Sequence, residues 1–179
     1  MSYFENFPNI SFEIDGNVFL VKDILRRTKF VSKIINYISS YKIYEITDGE
    51  SFQSIAYNLY GSASYHWVLL LFNEIHNITT DWPLDQNNLT EYITKKYGDS
   101  MYRIRHWERD GLIVGEYSEF KSNDTWVEPE NPEVDNLFMV PVSFYDYETT
   151  LNDAKRKIKI LRVELLSEFL SEFKKSINE

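Results

Sequence analysis

Apolar and polar positions alternate with a period of two in residues 10–21, where Ile10, Phe12 and Ile14 lead across Asp15-Gly16 into Val18 and Leu20. This predicts a β-hairpin, because Asp-Gly supplies the positive-φ pair that a two-residue hairpin turn needs. Beyond Asp23, a helix cap, the period lengthens: Ile24, Phe30, Val31, Ile34, Ile35 and Ile38 recur at helical spacing. A strand is expected at Tyr41, Ile43 and Ile46, followed by the turn Asp48-Gly49-Glu50-Ser51. Two helical stripes come next, Phe52, Ile55, Ala56, Leu59 and Tyr60, then Trp67, Leu70 and Leu71, split by Gly61 and ending near Asn73. Residues 85–98 read as a helix capped by Asn88 or Thr90, and 102–114 as a second hairpin through Asp110-Gly111. The acidic, proline-bearing stretch 122–137 reads as a loop or extended arm, and Phe138–Phe144 as an edge strand weakened by Pro141. From Asn152 to Ile177 one helix is expected, with Ala154, Ile158, Leu161, Leu165, Phe169, Phe173 and Ile177 on one stripe. Its length would be roughly 39 Å.

These elements predict an α+β chain in four consecutive parts: an arm over 1–40, a compact unit over 41–84, a helix, hairpin and acidic loop over 85–150, and a C-terminal helix over 151–179. The net charge of −9 disfavours phosphate contact, so nucleic acid is not an expected partner. With no cysteine, disulfides and thiolate metal sites are excluded. The longest apolar run, Trp67–Phe72, is far short of the roughly 20 residues of a membrane span, and no membrane partner is expected. The opening residues lack a charged, then apolar, export signal, which points to synthesis in a reducing cytoplasm.

Candidate chemistry is sparse. His66, His76 and His106 fit no metal-ligand spacing, and no nucleophile elbow, P-loop or dinucleotide fingerprint occurs, so no catalytic residue, metal or cofactor is assigned. Asp48 and Glu50 are close in sequence, but turn formation and helix capping explain them. What stands out is charge placement. Lys22, Arg26, Arg27, Lys29 and Lys33 form a basic cluster in an acidic chain. Lys155, Arg156, Lys157 and Lys159 crowd the start of the expected terminal helix, against its dipole. Acidic neighbours on partner proteins would compensate both groups. The alternatives are a solvated face for the first cluster and, for the terminal helix, an ordinary amphipathic helix folded back on its own domain. Because so long a stripe exceeds what the compact unit over 41–84 can cover, docking is preferred, and Arg26, Arg27, Lys155, Arg156, Leu161, Leu165, Phe169 and Phe173 are the candidate partner contacts.

The order strand, D-G-E-S, helix, helix and Asn in Tyr41–Asn73 resembles a LysM module, a small βααβ unit. That resemblance implies a glycan groove, here vestigial, lined by Gly49, Glu50, Ser51, Asn73 and Ile75. The marks extend further: YFENFP (Tyr3–Pro8), VKDILRRTKF (Val21–Phe30), YEITDGESFQSIAYNLYGSASYHWVLLLFN (Tyr44–Asn73), DWPL (Asp81–Leu84), KKYG (Lys95–Gly98) and KRKIKIL (Lys155–Leu161). In this order they resemble a baseplate wedge subunit of contractile-tailed bacteriophages of the T-even type. Residues 115–137 carry no such mark. The resemblance implies a non-enzymatic structural subunit of the virion tail baseplate, made in the host cytoplasm. Its partners would be other wedge subunits and neighbouring wedges, which it clamps together during assembly. The alternative is a LysM-type module that binds peptidoglycan or N-acetylglucosamine polymers, and glycan is the less expected partner.

Overall fold

A computed structural model describes residues 3–25, 40–115, 117–121, 125–129 and 139–178. The protein is α+β, and it divides into two compact units. Unit 1 is Met1–Trp82 with Lys157–Glu179, and unit 2 is Pro83–Arg156. Four consecutive segments thus give way to a unit built from both ends of the chain and a second unit inserted within it. The helix expected over 24–38 has most of its length, including Arg26 and Arg27, outside the described residues.

Unit 1 opens with strands β1 (Asn9–Ile14) and β2 (Asn17–Lys22), which pair antiparallel. Asp15 at φ 50° and Gly16 at φ 78° turn the corner, the pair of left-handed residues whose twist matches that of the strands. Ile10 opposes Val21 and Phe12 opposes Phe19, so these side chains share one face. Strand β3 (Tyr41–Glu45) pairs antiparallel with β9 (Lys157–Leu161). Helix α1 (Phe52–Tyr60) starts at a reciprocal cap, Ser51 Oγ accepting from Ser54 N and Ser54 Oγ accepting from Ser51 N, each at 3.1 Å. Gly61 at φ 75° ends it. Helix α2 (His66–Phe72) follows a single 3-10 turn, Ala63–Tyr65.

The single helix expected over 152–177 is not formed. Helix α4 (Phe144–Ala154) ends there, Lys157–Leu161 is β9, and α5 (Leu166–Asn178) is a separate, shorter helix. The physical reason lies in Lys157-Ile158-Lys159-Ile160, where alternation buries Ile158 and Ile160 and exposes both lysines. Lys155 and Arg156 now follow the C-terminal end of α4, where positive charge suits the dipole.

The core of unit 1 has two clusters. In the first, Trp67, Val68 and Phe72 of α2 meet Phe7, Leu161, Leu166, Phe169, Phe173 and Ile177. In the second, Ile46, Ile55, Ala56, Leu69 and Trp82 meet Ile158 and Ile160 of β9. The buried face of α2 is therefore Trp67, Val68, Leu69 and Phe72, while Leu70 and Leu71, expected in its stripe, are half-buried.

In unit 2, α3 (Gln86–Tyr97) is capped by Asp85, whose carboxylate accepts from Asn87 N and Asn88 N at 3.0 Å, rather than by Asn88 or Thr90. Strands β4 (Ile104–Arg109) and β5 (Leu112–Val114) form the second hairpin through Asp110 and Gly111, both at positive φ. The other side of β4 pairs with β8 (Val140–Ser143), an edge strand that tolerates Pro141. Phe144, expected to end that strand, opens α4 instead because Ser143 and Asp146 form a capping box. The stretch read as a loop contains β7 (Thr125–Val127), paired with β6 (Glu119–Lys121). Asn152 is buried and holds Leu84 from both sides, accepting from its N at 2.8 Å and donating to its O at 2.9 Å.

Candidate functional site

The turn before α1 is Thr47–Glu50, closed by Glu50 N donating to Thr47 O at 3.1 Å with Gly49 at φ 73°. That backbone is why glycine stands at 49. The Glu50 carboxylate points back into its own unit, accepting from Tyr44 OH at 2.7 Å, Thr47 Oγ1 at 3.0 Å and Thr47 N at 3.1 Å. Trp82 Nε1 donates to Glu50 O at 3.2 Å. Partial burial favours the neutral acid of Glu50, but the hydrogen bonds from Tyr44 and Thr47 outweigh it and hold the carboxyl below its ordinary value. Burial first, then the hydrogen bond and charge of Glu50, push the Tyr44 hydroxyl from 10.0 up to about 12. The fold thus favours neutral Tyr44, so this contribution is complete below pH 10.0 and is lost as pH rises through about 12. In Glu50→Gln, NMR titration of the Tyr44 ring is expected to find it ionising at lower pH than in the wild type, though still above its ordinary value because burial remains. An unchanged titration contradicts the coupling.

Asn73 likewise serves the chain itself. Its Nδ2 donates to Leu69 O at 2.9 Å and Lys159 O at 2.7 Å, and its Oδ1 accepts from Lys159 N at 2.7 Å. One side chain therefore ties the end of α2 to the middle of β9. Asn73→Ala is expected to cost about 1–3 kcal/mol in chemical denaturation, because Lys159 backbone groups lose their partner. A change within noise removes this role.

Of the expected groove residues, Ile75 stands apart from the others in one cavity of unit 1. A cavity of about 490 Å³ in unit 1 is lined by Ile75 with Tyr3, Trp67, Leu70, Leu71, Glu74 and His76, while Gly49, Glu50, Ser51 and Asn73 are not among its lining. The expected partner contacts also disperse. Leu161, Phe169 and Phe173 are buried in the core of unit 1, and Leu165 packs half-buried against it, so their apolar surface is used internally. Arg156 pairs with Asp153 at 2.9 Å and donates to Leu84 O at 3.3 Å, and Lys155 is the C-cap of α4. Lys155 and Arg156 are both partly exposed.

Two polar groups in unit 2 are buried, although nothing in the sequence marks them for burial. Buried Glu148 accepts from Lys96 Nζ at 2.8 Å and Tyr97 OH at 2.7 Å, with Tyr97 stacked on Phe144 at 4.5 Å. Burial opposes the Lys96 charge, but Glu148 and the Tyr92 and Tyr97 hydroxyls more than offset this and raise its pKa. A carboxylate inside a helix that otherwise reads as polar gave little warning. The other is His106, fully buried on β4. A further surface not expected from the sequence is the β1–β2 hairpin, every residue of which is exposed, Phe12 to 52% and Phe19 to 49%. Alternation announced the strands but not that their apolar face lies open.

Glu50, Asn73, Glu148 and Asn152 each hold the protein's own backbone or side chains. The class of protein comes from comparison with known families. The chain belongs to the family described as base plate wedge protein 53, whose model matches residues 4–134. It is a phage baseplate protein with a structural role, in a family that assembles with other baseplate components of the virion tail. The match ends before β8, so α4, β9 and α5 lie beyond it. No curated protein matches the chain significantly. Among the described residues, no helix is long and apolar enough to cross a membrane, and no group of three or more acidic, His or Cys side chains could hold a metal.

Proposed function

We propose that this chain is a structural subunit of the baseplate wedge of a contractile tail of the T-even type, clamping neighbouring wedge subunits together during assembly. Unit 1 is the rigid node, a LysM-like βααβ arrangement of β3, α1, α2 and β9 whose glycan groove is vestigial. The β1–β2 hairpin is the docking arm. One observation carries this: Ile10, Phe12, Ile14, Phe19 and Val21 form an apolar face on an exposed two-stranded sheet. Such a sheet is marginal in water and gains from a partner that covers it.

The inward use of Glu50 and Asn73 disfavours the glycan-reading alternative. Because Phe12 and Phe19 are exposed and directly opposed, the double variant Phe12→Thr/Phe19→Thr, which keeps a strand-compatible cross-strand pair, is expected to melt like the wild type. Its affinity for the other wedge subunits is expected to fall about 10- to 100-fold, measured by biolayer interferometry. Undiminished binding by the folded variant overturns the docking arm.

A further inference from the structure

Strand β4 carries one residue more than β8 between its pairs Ile104↔Ser143 and His106↔Val142, so Arg105 sits at a bulge. A bulge re-aims a side chain that would otherwise alternate to the opposite face. Here it brings Arg105 beside its neighbour, with Arg105 Nη1 2.8 Å from His106 Nδ1. A guanidinium only donates, so Nδ1 is the acceptor and the imidazole proton sits on Nε2, donated to Glu108 Oε1 at 2.8 Å. Buried Ser118 fixes the bulge, its N donating to Arg105 O at 2.8 Å and its Oγ donating to Ile104 O.

That staple sets Tyr117 beside the guanidinium. Arg105 Cζ lies 4.8 Å from the Tyr117 ring centre and 3.7 Å from that of Tyr147 on α4. The cation lies within cation–π distance of both rings, and it is partly exposed, as is Tyr117 at 49%. One of its N–H donors meets His106, and no carboxylate pairs with it among the described residues. The balancing charge of Glu108 lies on the far side of the imidazole.

We propose that Arg105, aimed by the bulge and packed against Tyr147 and Tyr117, is a docking point for a carboxylate of a partner protein, an Asp or Glu side chain of another wedge subunit. A fixed planar fork with free donors matches a carboxylate bidentately, and stacking lowers the ordering cost of the pair. Arg and Tyr are also the residues that dominate interface energetics. The net charge of −9 repels a polyphosphate chain but tolerates a single short-range carboxylate contact, which favours protein over nucleic acid. The source of the carboxylate rests on the wedge reading above, whereas the site itself does not.

The test has two arms on the full chain. In the first, the Arg105 Nε–H signal is followed by NMR while sodium acetate replaces sodium chloride at constant ionic strength. A saturable shift is expected in the wild type, weakened in Tyr117→Ala. In the second, association with purified wedge subunits is measured for the wild type, Tyr117→Ala and Arg105→Lys. The lysine keeps the charge and loses the fork and the stack. With folding verified by melting, Arg105→Lys is expected to weaken association roughly 10- to 100-fold. No acetate shift beyond the chloride control overturns the site. Acetate saturation with undiminished association of both variants overturns its assignment to a wedge partner. Failure of the wild type to associate at all overturns the wedge reading, and the acetate arm still judges the site. Duplex DNA that binds the wild type but neither variant assigns the site to phosphate and overturns the carboxylate.

Discussion

Deleting Lys157–Glu179 is expected to unfold unit 1, not to trim an arm from it. Strand β9 is the partner of β3 in a two-stranded sheet, and with α5 it supplies Ile158, Ile160, Leu161, Leu166, Phe169, Phe173 and Ile177 to both core clusters. At about 1.5–3 kcal/mol for each buried apolar side chain, their loss matches or exceeds the roughly 5–15 kcal/mol by which a domain is stable. Hydrogen exchange is the appropriate measurement, because it reports each element separately. Amides of α1 and α2 are expected to lose their protection in the truncated chain. Persistent protection there contradicts the placement of β9. A terminal deletion is for this reason a poor probe of assembly, since a broken node and a missing contact give the same negative result.

The second large effect belongs to one ring. Phe173→Ala is expected to destabilise unit 1 by about 3–5 kcal/mol, the range for emptying an aromatic site in a packed core. Phe173 is fully buried, its ring centre 4.6 Å from that of Trp67 and 5.5 Å from that of Tyr3. The resulting cavity would be lined by aromatic rings held by two helices and the N-terminal segment, so little collapse is available. Phe12→Ala is the control: the same residue type, half exposed on the hairpin, is expected to change stability by no more than about 0.5 kcal/mol. Urea denaturation of both variants tests the contrast. Equal losses contradict the burial pattern of unit 1.

Local signals were legible where the residues near each other in sequence also meet in space. Asp15-Gly16 and Asp110-Gly111 specify their hairpins because both turn positions need positive φ and the flanking residues alternate. Ser51 and Gly61 bracket α1 by capping chemistry alone. In the C-terminal region Ile158, Leu161 and Leu165 also satisfy a helical spacing, so a period of three to four competes there with a period of two. Yet the conflict was visible: four basic residues at a helix start oppose the macrodipole, while Lys-Ile-Lys-Ile is a strand pattern. The partner that makes it a strand, β3, lies more than a hundred residues earlier, and no window reaches that far.

The candidate site was less legible for the same reason. Glu50 and Asn73 were recognised as belonging together through the strand-helix-helix order. Their hydrogen bonds to Tyr44 and to Lys159 depend on tertiary placement. Arg105 gave no signal, since a bulge appears only when β4 is counted against β8. Phe169 and Phe173 looked like surplus apolar surface on an oversized helix, whereas a shorter α5 spends them on Trp67 and Phe72.

Membership in a baseplate wedge family states where the chain belongs, and the open hairpin face and Arg105 are the surfaces proposed to hold it there. The most direct test is sedimentation of the purified full chain with the other purified wedge subunits, in parallel with sedimentation on purified peptidoglycan. The structural role predicts that the chain moves into the wedge complex and remains in solution beside peptidoglycan. A chain that stays out of the wedge complex, yet pellets with peptidoglycan and is released by N-acetylglucosamine oligosaccharides, contradicts it.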